Sequence, residues 1–399
     1  MLQLKKVYGE LAPTERVLLG AGPSGVDARV LRAMSTPLLG HLDPEFIELM
    51  NDTRDLLRYV FQTENLMTLP MSGTGSSGMD TVLSNLLEPG DKAIVAPCGV
   101  FGERMVDMAG RTGAEVKVVP GEWGRIIEPE QLEAAFKAMP DAKVLAFVHA
   151  ETSTGIRQPV EDIVHIAHDH GALVVMDCVT SLGGAPVLLD EWGIDAAFSG
   201  TQKCISCPPG LAPISMNSRA QQALHNRKTT VPSWYLDLTM IERYWGQERF
   251  YHHTAPISMV YALRESLRII AAEGLEARWA RHQRNADAFL AGCEALGLQP
   301  FAQAGYRLPS LVALRVPAGV RDEAVRQHLL KEFNLEISGG LGAVKGQIWR
   351  VGLMGSNSNR KNVMLALTAL SSALNAQGFK ASASAALEAA TAVYDAAAE

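Results

Sequence analysis

Two side chains in the middle of the chain have the types and placing for covalent chemistry with a carbonyl compound. Asp177 lies near the end of the apolar run LVVMDCV (173–179), which puts a carboxylate at the carboxyl edge of a buried strand. Open α/β sheets bind their ligands at that edge. Lys203 comes 26 residues later, in Ser199-Gly200-Thr201-Gln202-Lys203, just beyond another apolar run. An ammonium set among Gly, Cys, Ile and Pro is costly to hold, so its pKa should fall. A free amine is what attack on an aldehyde requires. Taken singly, each residue also has a plainer reading: Asp177 as the cap of a loop, Lys203 as a solvated lysine.

Three glycine-rich segments could cradle an anion. Gly20-Ala21-Gly22-Pro23-Ser24-Gly25 matches GxGxxG, but no strand ending in an acidic residue follows it, and Pro37 and Pro44 interrupt the next stretch. A dinucleotide site is therefore disfavoured; the segment reads as a turn that could line a pocket. Ser72-Gly73-Thr74-Gly75-Ser76-Ser77-Gly78 stands between a strand and a helix and offers hydroxyls and free helix N–H groups to a phosphate. It lacks the Lys of a nucleotide-binding P-loop. GGLGAVKG (339–346) reads as a lid or a plain loop. Pyridoxal phosphate (PLP) explains Lys203, Asp177 and the 72–78 loop together: its aldehyde needs a Lys, its ring nitrogen a carboxylate and its phosphate a helix N-terminus.

The elements that must position these residues alternate. Short apolar runs at 66–71, 93–97, 116–120, 144–150, 173–179, 196–200 and 212–216 read as strands buried on both faces. Amphipathic stretches at 77–88, 101–113, 128–139 and 160–171 read as helices between them, which implies a layered α/β domain with a largely parallel sheet. A long helical region (258–296) leads to a second unit with strands near 310–317 and 348–354 and helices at 321–333 and 360–376; the alanine-rich tail from Lys380 is helical by propensity. The chain has 399 residues, 47% of them hydrophobic, and 36 Lys+Arg against 43 Asp+Glu, which argues for a well-filled core and against a nucleic-acid or membrane-surface partner. Five sparse cysteines and a polar N-terminus fit a cytoplasmic protein with reduced thiols. Cys204-x-x-Cys207 has no second pair, so no metal is expected, and His165, His168 and His170 read as surface histidines.

From about residue 16 to 376 the sequence resembles the class V, fold-type I aminotransferases, specifically the alanine–glyoxylate and serine–pyruvate/glyoxylate group. The motifs that carry the likeness are SGTGS (72–76), HAETSTG (149–155), DCVTSLGG (177–184), SGTQKCISCPPG (199–210), YHHT (251–254) and WRVGLMG (349–355). The resemblance implies a three-layer large domain (21–265) with a mostly parallel sheet, an N-terminal arm (1–20) and a smaller C-terminal α+β domain with a helical tail (266–399). It implies that Lys203 forms the Schiff base with PLP and shuttles a proton, and that Asp177 pairs with the ring nitrogen. Phe101, where close relatives often carry Trp, would stack on the ring, with Val179 on the opposite face and Thr152 near the ring's phenolic oxygen. Thr74, Gly75, Ser76 and Gln202 would reach the phosphate, joined by Tyr251 and Thr254 from the other subunit of a homodimer. Arg350 would clamp the substrate carboxylate, and Ser24 and His41 would line the substrate pocket, with Trp234-Tyr235 from the second subunit. The implied activity is ping-pong transamination of alanine or serine with glyoxylate or pyruvate. Ureidoglycine–glyoxylate transamination is the nearest alternative. A desulfurase, whose late cysteine could only be Cys293, a GxGxxG oxidoreductase and a non-catalytic binding protein are weaker rivals.

Overall fold

The computed structural model describes residue 6 and residues 8–396, so residues 1–5 and 7 of the expected arm and the last three of the expected tail lie outside the described residues. Seven strands form the main sheet: β1 (Met67–Ser72), β2 (Lys92–Ala96), β3 (Glu115–Val118), β4 (Val144–Val148), β5 (Leu173–Asp177), β6 (Ala196–Phe198) and β7 (Leu211–Met216). Their spatial order is β1-β7-β6-β5-β4-β2-β3, and β7 alone runs antiparallel to its neighbours. The expectation of burial on both faces fails at β3. This strand closes one edge of the sheet and leaves Val118 42% exposed. The register decides where chemistry can occur: Val148 pairs with Asp177 and Asp177 with Phe198, so β4, β5 and β6 end level. The residues that follow each of them emerge side by side at one carboxyl edge.

Helices cover both faces. The helix α1 (Pro44–Phe61) had no counterpart among the expected elements, because Pro37 and Pro44 looked like breaks. Pro44 instead occupies the first turn, where its missing N–H is no loss, and Asp43 caps it by accepting from Glu45 N at 2.8 Å. Phe46, Met50, Leu57 and Phe61 then face the main core. Next come α2 (Gly75–Leu86), which starts in the glycine-rich loop, and α3 (Val100–Arg111). The long helical region is two helices, α4 (Ile257–Glu273) and α5 (Leu275–Ala295), separated by Gly274, whose φ of 84° only glycine adopts without strain. The first, α4, which includes residue 265, packs Val260, Leu263, Leu267 and Ile270 into the main core.

A second core lies around the antiparallel strands β8 (Leu311–Arg315), β9 (Ser338–Gly339) and β10 (Ile348–Gly352), with β10 central. It gathers Phe289 of α5, Trp349, and Leu367 and Leu370 of α6 (Arg360–Asn375), and it is closed by α7 (Ala383–Ala396). The beginning of the chain belongs here: Val17–Leu18 pairs in parallel with Leu335–Glu336, and Leu19 is buried in the same cluster. No helix among the described residues is long and apolar enough to cross a membrane.

Candidate active site

Beyond the level ends of β4, β5 and β6 stand His149 to Thr152, Asp177 with Cys178 and Val179, and Ser199 to Lys203. Asp177 is buried, and its Oδ1 accepts from Val179 N at 2.8 Å. Burial raises its pKa to about 7 against the pull of that N–H, and the nearby Glu151 carboxylate adds to the rise. Lys203 is 7% exposed. Desolvation first, then the Arg350 charge, bring its pKa down to about 8. Its Nζ donates to Ala21 O.

The glycine segment 20–25 is thus a wall of the lysine site rather than a dinucleotide turn. A β-carbon on Gly22 would stand 2.6 Å from Lys203 Nζ, so only glycine leaves the amine its place. Ser24, expected to line the substrate pocket, donates its hydroxyl to Lys203 O at 2.7 Å and its N–H to Gln202 O at 2.8 Å, which braces the lysine turn.

The second glycine segment meets the same edge. A β-carbon on Gly75 would lie 3.6 Å from Val179 Cγ2 and from Gly200 Cα, so the start of α2, the Asp177 loop and the lysine turn converge. Thr74, the residue before that helix, makes no side-chain cap bond. Half-buried Gln202, beside Gly200, has a buried Oε1 with no hydrogen-bond partner among the described residues. Phe101 sits in the first turn of α3, whose N-terminus is capped by Glu151. Glu151 accepts from Phe101 N and Gly102 N, each at 3.1 Å, and from Ser153 Oγ at 2.6 Å. Burial raises its pKa too, against these hydrogen bonds. Arg104, one turn beyond Phe101, places its guanidinium carbon 5.0 Å from the centre of that ring, and its Nη1 donates to Ser76 Oγ at 3.0 Å.

Arg350 on β10 closes the pocket from the second core. Its Nε donates to Gly339 O at 2.9 Å and its Nη1 to Thr152 O at 3.2 Å, and desolvation lowers its pKa to about 10. Thr152 is hydrogen-bonded through its hydroxyl to Thr180. Tyr251 and Thr254 are exposed, and no hydrogen bond among the described residues joins them to residues 72–78 or 199–203 of their own chain. Tyr251 instead lies 5.0 Å from the ring of half-buried His41, while His253 beside it reaches Ser72 Oγ at 2.7 Å. Trp234 and Tyr235 are exposed nearby, with Trp234 stacked on His252.

Other expectations change. His168 is not a plain surface histidine; its Nε2 meets the buried Asp195 at 2.9 Å. Cys293 is buried in the second core with its thiol pKa raised by desolvation, which leaves no mobile nucleophile for sulfur chemistry. Glu151 and Arg104 are the residues that motif reading passed over. The available signal was the spacing of Arg104 from Phe101, one helical turn; nothing local marks Glu151 as a cap for residues 50 positions away.

Comparison with known proteins agrees on one family. A sequence profile described as Aminotransferase class-V matches residues 17–364. The alanine–glyoxylate aminotransferase of Rattus norvegicus is 40% identical, over 91% of this chain and 89% of that one. The crystal structure of alanine–glyoxylate aminotransferase from Nostoc sp. superposes with a TM-score of 0.91 at 46% identity, covering 93% of this chain and 98% of the other. That of ureidoglycine–glyoxylate aminotransferase from Bacillus subtilis gives 0.95 at 40% identity, covering 97% and 100%.

Proposed function

The chain belongs to the class V aminotransferases, and from that membership we propose that it moves the amino group of alanine or serine to glyoxylate or pyruvate in a ping-pong cycle. The family is PLP-dependent; when bound, the cofactor supplies an aldehyde that captures amines and a ring that withdraws electrons from the substrate Cα. The residues present fit it: a desolvated amine, a carboxylate at the strand edge and an uncapped helix start whose N–H groups are free for a phosphate. Lys203 would hold the cofactor through its aldehyde, Asp177 its ring nitrogen, and Thr74, Gly75, Ser76 and Gln202 its phosphate. Phe101 and Val179 would flank the ring, and Thr152 would stand near its phenolic oxygen.

In turnover, Arg350 binds the donor carboxylate through its remaining N–H groups, since Nε and Nη1 are held by carbonyls that aim the fork. Lys203 Nζ, close to half-neutral near pH 8, takes the proton from the donor Cα and later returns one to the acceptor Cα. A cation beside Asp177 restores its ionised form, and the burial of both groups keeps water from competing. The observation that carries this reading is the convergence of a lysine lowered to about 8, an aspartate raised to about 7 and a buried arginine at one sheet edge. Arg350 is the guanidinium whose charge weighs most on Lys203, while Arg104 is engaged at Ser76 on the glycine-loop side. A donor with a second carboxylate would leave an anion unpaired, at a cost of about a few kcal/mol.

The test is single-turnover loss of the holoenzyme's visible absorbance with alanine, serine, glutamate and freshly generated ureidoglycine, followed by glyoxylate. Alanine or serine should react fastest; glutamate reacting fastest would overturn the donor class. Ureidoglycine is the second reading, favoured by the Bacillus subtilis likeness, which runs through 97% of the chain. We also propose a cytoplasmic homodimer in which Tyr251 and Thr254 serve the partner's phosphate site. Exposed Trp234, Tyr235, Phe250 and Tyr251 support an interface beside the glycine loop, and five buried, unbridged cysteines support a reducing compartment. Tyr251→Phe should then lose PLP more readily on dialysis, and a monomer that retains PLP would refute the shared site. We place the boundary between the two domains after α4 rather than at residue 265, because Leu267, Ile270 and Leu275 pack into the main core, and we group the chain start with the second.

A further inference from the structure

Arg104 is a half-buried cation that forms no ion pair among the described residues. On the same helix, Arg111 is paired with Asp107 at 2.9 Å. A guanidinium removed in part from water without a carboxylate carries a desolvation cost that the protein must offset elsewhere. What Arg104 does touch is specific. One nitrogen donates to Ser76 Oγ at 3.0 Å, and the guanidinium lies against the Phe101 ring at 5.0 Å, a cation–π geometry.

Both contacts belong to the site, and both are directional. Because the Ser76 oxygen accepts from Arg104, its own proton is left to donate elsewhere, beside the open N–H groups at the start of α2. Arg104 therefore turns Ser76 into a donor. A phosphate monoester near neutral pH carries a charge of about −1.5 to −2, whereas a helix start supplies only about half a positive charge. Lys203 donates to Ala21 O rather than to Ser76 or the start of α2, so its charge is aimed at another wall of the site. The charge of Arg104 also reaches Asp177, where it is the last and smallest of the causes acting on that carboxyl.

We propose that Arg104 is the positioning cation of the phosphate subsite. It orients Ser76 and supplies the positive field that makes the apoprotein prefer a phosphorylated pyridoxal over the unphosphorylated aldehyde. The proposal rests on the reading of residues 72–78 as the PLP phosphate cradle. It adds a residue with no place in the motif that defines that cradle.

The experiment measures equilibrium binding of PLP and of pyridoxal to the apoprotein, with inorganic phosphate as competitor. In the wild type, PLP should bind much more tightly than pyridoxal, and phosphate should compete. Arg104→Gln should weaken PLP about tenfold to a hundredfold while leaving pyridoxal within about twofold. Arg104→Lys should recover part of the loss, since it keeps the charge without the planar fork. If Arg104→Gln weakens both ligands equally, or neither, Arg104 merely supports Phe101 and the proposal is wrong. Should Arg104→Gln fail to fold, Ser76→Ala tests the same bridge: an unchanged PLP-to-pyridoxal ratio refutes it. A wild type that does not distinguish PLP from pyridoxal would fail in a different way, by removing the phosphate cradle itself.

Discussion

Two ionic clusters adjoin the lysine turn, one partly and one largely buried, and they are built on opposite plans. In one, Glu273 receives Arg278 at 2.6 Å and Arg281 on its other oxygen. Arg278, 2% exposed, also donates to Gly183 O at 2.8 Å and to Cys204 O at 2.7 Å, and Arg281 donates to Gly355 O at 3.0 Å. Although burial opposes it, the Arg281 hydrogen bond and the two guanidinium charges hold the Glu273 pKa below its ordinary value. In the other, Asp177, Lys203 and Arg350 have no ion pair among the described residues, and burial shifts all three toward neutrality. The first cluster satisfies itself and ties α5 to the turn after β10. The second is left unsatisfied by its own members, which is the condition for binding a charged ligand.

Replacing each cation by an apolar residue of similar length breaks the comparison most directly. Lys203→Met should lower transamination at least about a thousandfold, yet raise the thermal midpoint of the apoprotein, since a desolvated amine disappears. Arg278→Met should do the reverse to stability, costing about 1–3 kcal/mol for each of the two carbonyls it strands, Gly183 O and Cys204 O, while Glu273 keeps Arg281. Calorimetry of both apoproteins decides; a drop in both midpoints would mean that the Lys203 cluster is as self-supporting as the other.

A pH series gives a smaller effect. Asp177 has a folded pKa of about 7, raised from 3.8, so its contribution to apoprotein stability is present below about 4 and is lost as pH rises through about 7. Lys203, lowered to about 8 from 10.5, contributes above about 10.5 and loses that contribution as pH falls through about 8. The two groups together leave the apoprotein least stable between those midpoints. Asp177→Asn should therefore gain on wild type, by on the order of 3 kcal/mol, when the comparison is moved from about pH 4 to about pH 7. A difference that does not change with pH would show that Asp177 is not desolvated. The smallest effect belongs to Ser24→Ala, which should cost about 1 kcal/mol through the lost bond to Lys203 O and leave the donor KM unchanged. A raised KM would return Ser24 to the substrate wall.

Much of the site was legible because strand ends and short motifs are local. Asp177 and Lys203 each close or follow an apolar run, and the hydroxyl-rich loop at 72–78 precedes a helix. The contacts that stayed hidden join distant parts of the chain. Glu151 caps Phe101 across 50 positions, Ser24 meets Lys203 across 179 and Arg350 meets Thr152 across 198. The pairing of His168 with Asp195 joins a helix to a strand connection. Pro44 was misleading for a local reason: a proline marks a break or a first turn equally well, and the burial of Phe46 and Leu57 settles which.

The sequence by itself determined the element types, through apolar runs and amphipathic periods, and the chemistry available: an amine in apolar company, a carboxylate at a strand end and hydroxyls at a helix start. Strand order and register remained open, because a run of buried residues fits any central place in a parallel sheet. Only the tertiary structure brought β4, β5 and β6 level, turned Glu151 onto the start of α3, and set Arg350 into the pocket from a different core. Those are contacts between distant segments. They are settled by how two whole cores pack, and that packing turns an ordinary lysine into one that titrates near 8.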